Sequence, residues 1–73
     1  RHAELNKIVT VTVDGYRVRV VLAIVPDVVG STASLTALDG FDEELARVPV
    51  PPSFKLTLDS AQAWVASGYQ RPR

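Results

Sequence analysis

These 73 residues contain no cysteine and no methionine, and only one histidine and one tryptophan. Without thiols, no disulfide can staple the fold, and neither redox chemistry nor compartment can be read from cysteine usage. One histidine without cysteine does not make a structural zinc site. The longest uncharged apolar run, Val20 to Val25, is too short to cross a bilayer, and no segment has the pattern of a signal peptide. The chain is therefore expected to act away from membranes. Its compartment stays open.

Net charge is absent too, at a formal zero, so long-range attraction to nucleic acid or to acidic partners is weak. The charge is unevenly placed. Residues 1–25 carry four basic and two acidic side chains, and residues 47–73 carry four basic and one acidic. Between them lie five acids and no base: Asp27, Asp39, Asp42, Glu43 and Glu44. Such a chain has an acidic middle that can meet basic ends, its own or those of a neighbour.

What the chain does have is apolar character: 47% of its residues are hydrophobic, ample for a core and inconsistent with disorder throughout. Seventy-three residues make one small domain, residues 1–73. At this size apolar burial barely offsets an ordering cost of roughly 1.5 kcal/mol per residue. The chain opens on Arg1-His2, and arginine is not a residue after which an initiator methionine is normally removed. The domain is thus expected to be a piece of a longer chain.

The strongest local signal is a β-hairpin over residues 7–25. Two strand-like runs flank Asp14-Gly15, a pair suited to a type I′ turn in which both central residues need φ > 0. A two-residue loop sets Val13 opposite Tyr16, Val11 opposite Val18, Val9 opposite Val20 and Lys7 opposite Leu22. These pairs share one face, because side chains alternate along a strand. The other face carries Thr12 with Arg17, Thr10 with Arg19 and Ile8 with Val21. A slip of one residue would put both arginines among the valines. The end of the hairpin, Val21 to Val25, is apolar on both faces and is expected to be buried twice or covered by a partner.

Pro26 is expected to end the second strand, since it cannot donate to a ladder. Residues 27–33 read as a connection pivoting on Gly30. The hexapeptide Val25-Pro26-Asp27-Val28-Val29-Gly30 resembles the opening of a PASTA repeat. The resemblance stops there, since a hairpin precedes it and nothing after Ser34 matches, so neither fold nor function is carried over. Ser34 to Leu38 reads as a short strand or as coil leading into a helix. Asp42, with Glu43 and Glu44 behind it, predicts a capped helix over about 42–47 that Pro49, Pro51 and Pro52 stop. The prolines read as a rigid spacer. Phe54, Leu56 and Leu58 alternate with Lys55 and Thr57, predicting a half-buried strand near 53–58. Asp59 with Gln62 is a variant of the capping box, and a helix over about 60–67 would end at Gly68. Tyr69 can fold back on that helix. The expected class is α+β: a small antiparallel sheet built on the hairpin, with two short helices.

Catalytic chemistry is thinly represented. His2 sits at a chain end. The acids of residues 39–44 lack the EF-hand spacing and are accounted for by capping. No serine lies in a Gly-x-Ser-x-Gly setting, and Gly30-Ser31-Thr32 lacks the lysine and second glycine of a phosphate loop. No catalytic, metal or cofactor site is expected, and the protein is expected not to be an enzyme.

Two functional classes remain. The first is a protein-interaction or assembly module, a homo-oligomer or the companion of a protein partner, of the kind found in virions and other particles. Its candidate interface residues are Ile8, Val21, Ala23 and Val25, with Trp64 and Tyr69 as aromatic anchors. Core packing is the plainer account of Trp64. The second is nucleic-acid binding through Thr10, Thr12, Arg17 and Arg19, since a two-stranded ribbon can enter a major groove. A solvated strand face with cross-strand Thr–Arg pairs is the plainer account of those four residues.

Overall fold

The structure, a computed structural model, describes residues 5–72; His2 lies outside the described residues. Four antiparallel strands form a meander in sequential order, β1 (Leu5–Val13), β2 (Tyr16–Asp27), β3 (Gly30–Leu38) and β4 (Glu44–Val50). One helix, α1 (Leu58–Ala66), follows and packs chiefly against β1. The class is α+β, with a single helix rather than two.

The first hairpin has the register its sequence dictates, from Val13 opposite Tyr16 through Ile8 opposite Val21 to Leu5 opposite Ile24. Asp14 and Gly15 adopt φ of 53° and 80°, the left-handed values a type I′ turn requires. Nothing lies within 4 Å of a Cβ built on Gly15, so a substitution there meets backbone strain alone. Valine at position 15 is expected to destabilise the fold by roughly 1–2 kcal/mol, because β-branched residues resist φ > 0. An unchanged thermal midpoint for Gly15→Val would contradict the turn.

Pro26 does not end β2. The strand continues to Asp27, and Pro26 pairs with Ser31 beside a tight turn of Val28 and Val29. With Asp27 opposite Gly30 closing that turn, the backbone nitrogen of Pro26 points away from β3, so no bond of this ladder is lost. Gly30 takes φ +129° as β3 begins. The stretch 34–38 is part of β3.

The helix expected over 42–47 is absent; Asp42 and Glu43 stay in the loop, and residues 44–47 enter β4. Asp39 is the cause. Its Oδ1 accepts from the backbone N–H groups of Phe41 at 2.8 Å and Glu43 at 3.0 Å. Its own N–H donates to the Glu43 carbonyl at 3.0 Å, and Asp42 sits at φ 63°. This closed loop turns the chain back along β3, where Ala46, Val48 and Val50 pair with Ala37, Leu35 and Ala33. A bulge at Ala37/Leu38 absorbs one residue of β4.

The strand expected near 53–58 is absent as well. Residues 54–57 have no strand partner, and Leu58 already opens α1. This stretch carries the chain from β4 at one edge of the sheet to α1 over β1 at the other, burying Leu56 on the way. The helix is capped by Thr57 rather than Asp59. Thr57 Oγ1 accepts from the Ser60 N–H at 3.1 Å, and Ser60 Oγ accepts from the Thr57 N–H at 2.8 Å. The far end matches expectation: Gly68 is left-handed at φ 78°, and Tyr69 meets Trp64 edge-on, ring centroids 5.2 Å apart.

The core is one-sided. Val11, Val18, Val20, Leu22, Leu35, Ala37 and Val50 face Leu56, Ala61, Trp64 and Val65. Leu35, Leu56 and Val20 are the largest fully buried side chains. No buried residue among those described is polar or charged.

Candidate functional site: the uncovered face of the sheet

Strand alternation sends every second side chain to the face opposite the helix. On β1 these are Ile8, Thr10 and Thr12; on β2, Arg17, Arg19, Val21, Ala23 and Val25. On β3 they are Thr32, Ser34, Thr36 and Leu38, and on β4 Arg47 and Pro49 with Glu44 opposite Leu38. No described element lies over them. Ile8 is 58% exposed and Val25 38%. The twofold burial expected for Val21 to Val25 therefore does not occur among the described residues. Leu22 is buried and Ile24 packs against the core, while Val21 and Ala23 are half-buried and Val25 is exposed.

This face is divided lengthwise. Its middle is a shallow groove of about 400 Å³ with an apolar spine of Val21, Ala23 and Val25, polar Asn6, Ser34 and Thr36 beside it and Leu38 towards one end. Glu44 and Arg47 line it too and pair at 2.9 Å. Both are well exposed, so the pair adds little stability. Towards the Asp14-Gly15 turn, a second depression of about 720 Å³ is lined by Thr10, Thr12, Arg17, Arg19, Asp39, Gly40 and Asp42. The β3–β4 loop thus leans towards the arginines, and Arg19 is ion-paired with Asp42.

The structure brings Ile8, Val21, Ala23 and Val25 onto one surface and gathers Thr10, Thr12, Arg17 and Arg19 in another part of it. It does not bring Trp64 or Tyr69 there. Trp64 is 3% exposed in the core on the opposite side, and Tyr69 packs against it. The groove residues that sequence reading missed are Asn6, Ser34, Thr36, Leu38, Glu44 and Arg47; those from residue 34 onward reach it only because 30–38 and 44–50 are both strands. The alternation of Ala46, Val48 and Val50 with Arg47 and Pro49 was the available signal.

Both edges of the sheet are less inviting than its face. Pro49 lies in β4, its nitrogen pointing away from β3 by the ladder alternation, and the bulge distorts the same strand. At the other edge α1 packs against β1. Among the described residues no group of three or more His, Cys, Asp or Glu is placed to hold a metal ion. No described helix is long and apolar enough to cross a membrane. No known family model matches this chain, and no curated protein or solved structure is significantly similar to it.

Proposed function

We propose that this domain is a non-catalytic protein-interaction or assembly module that docks through the uncovered face of its sheet, as a structural component of a larger particle such as a virion does. The observation carrying this reading is the inequality of the two faces. One is roofed by α1 and the crossing segment; the other leaves Ile8 and Val25 exposed, with half-buried Val21 and Ala23 along a groove between strands. Contiguous apolar surface of this kind on so small a body marks an interaction site. The nucleic-acid alternative is weaker. Asp39 and Asp42 line the same depression as Arg17 and Arg19, and Asp42 already neutralises Arg19. Phosphate would meet one arginine, Arg17, without an ion-pair partner among the described residues, beside two carboxylates.

A glutamate at Val21 tests the proposal, because it sets a charge in the middle of the groove without entering the core. Association, with itself or with a stoichiometric partner, is expected to weaken on the order of tenfold or more, as for a central apolar contact. Circular dichroism and the thermal midpoint should stay close to wild type. Association that survives Val21→Glu unchanged would refute the docking face.

A further inference from the structure

We infer that the occupant of the open face is a second copy of this chain, packed sheet on sheet about a twofold axis perpendicular to the strands and level with Leu22. This rests on the docking face proposed above. Area is the first argument. Four strands about 4.8 Å apart and some nine residues long at ~3.3 Å each present a face of roughly 570 Å² in projection. Side chains raise its accessible area towards the ~800 Å² per partner of an ordinary stable interface. A single added peptide would cover only a fraction of it. A second sheet, stacked about 10 Å away, covers most of it.

Self-complementarity is the second argument. The proposed axis lays β2 antiparallel over β2 of the second copy. Val21 then faces Ala23 of the second copy, and Ala23 faces its Val21. Small residues at the centre, with Ser34 and Thr36 facing each other alongside, let the sheets approach closely. The ends match as well. Arg17, exposed and without an ion-pair partner among the described residues, comes opposite Asp27 of the second copy, likewise exposed and unpaired. That contact occurs twice by symmetry.

The exposed tips are the third argument. Phe41 is 89% exposed at one end of the molecule, while Val28 and Val29 are 94% and 92% exposed at the other. Nothing among the described residues covers either. The same axis carries the β3–β4 loop of each copy over the β2–β3 turn of the other, so that Phe41 meets Val28 and Val29. One operation thus covers five of the eight large exposed hydrophobics: Ile8, Val25, Val28, Val29 and Phe41.

Sedimentation equilibrium on the whole chain, with two charge variants, tests the arrangement. Wild type is expected to dimerise. Arg17→Glu and Asp27→Arg should each weaken the dimer by roughly tenfold or more, since each sets like charges opposite at two places. Mixed one to one, the two variants should recover the wild-type constant, because every mixed contact is again opposite in sign. Asp27 Oδ1 also accepts from the Val28 N–H at 2.7 Å. Asp27→Asn keeps that acceptor, removes only the charge and should weaken the dimer less than Asp27→Arg. A wild type that stays monomeric at millimolar concentration overturns the inference, as does a mixture that fails to recover. A dimer that Val21→Glu dissolves but the charge variants leave intact overturns this axis while the docking face stands. A dimer indifferent to Val21→Glu overturns both.

Discussion

Replacing Trp64 by alanine is expected to remove about 3–5 kcal/mol, a large share of the stability of so small a domain. Trp64 is the only tryptophan and, at 3% exposure, lies in the layer that α1 contributes to the core. It is also what Tyr69 packs against edge-on after the chain leaves the helix. Its loss empties the space between helix and sheet and leaves Tyr69 without its ring contact. Deleting a buried tryptophan costs about 3–5 kcal/mol. A domain of this length holds roughly 4–11 kcal/mol in total, at ~0.05–0.15 kcal/mol per residue. Trp64→Phe should be much milder. A ring remains, and the indole Nε1, buried with no hydrogen-bond partner among the described residues, is removed. Urea denaturation followed by far-ultraviolet circular dichroism checks both variants. A wild-type midpoint for Trp64→Ala would show that the ring does not join helix to sheet.

The part of the fold legible in the sequence is the part in which several local signals agree. In the first hairpin, Asp14-Gly15 fixes the turn and the alternation of valines with Thr10, Thr12, Arg17 and Arg19 fixes the same register, so no competing reading survives. The helix end at Gly68 was legible for a similar reason: a left-handed glycine follows an apolar stripe. The misread stretch is residues 42–47, where two signals conflict. Asp42-Glu43-Glu44 has the acidity of a helix start, while residues 46–50 alternate like a strand. The conflict is decided by a contact that no spacing rule contains, the Asp39 carboxylate taking the N–H groups of Phe41 and Glu43. The alternation of Phe54, Leu56 and Leu58 was real but misleading. An extended chain crossing a sheet buries alternate residues as a strand does, yet it pairs with nothing. The same misreading limited the candidate site. The β1 and β2 half of the open face was named from the hairpin alone, whereas the β3 and β4 half required the meander.

Leu35→Ala is expected to cost about 2–5 kcal/mol, the range for leucine removed from a rigid core. The upper half of that range applies here. Leu35 is fully buried on β3 between Ala33 and Ala37, and it is the only large side chain that strand sends into the core. Its cross-strand neighbours are Leu22 and Val48. Alanines on either side have no bulk to shift into the space, and the two neighbours are held by the ladder, so the cavity stays open. Thr36→Ala, one residue along the same strand, provides the control. Its side chain is half-buried on the open face, and its loss should change stability by no more than about 1 kcal/mol, the span of strand propensity. The contrast between adjacent positions measures how one-sided the sheet is in the isolated chain. Guanidinium titration of both variants at low protein concentration, where chains do not associate, gives the two values. Equal losses would mean that the second face is covered within the monomer, removing the basis for a docking surface there.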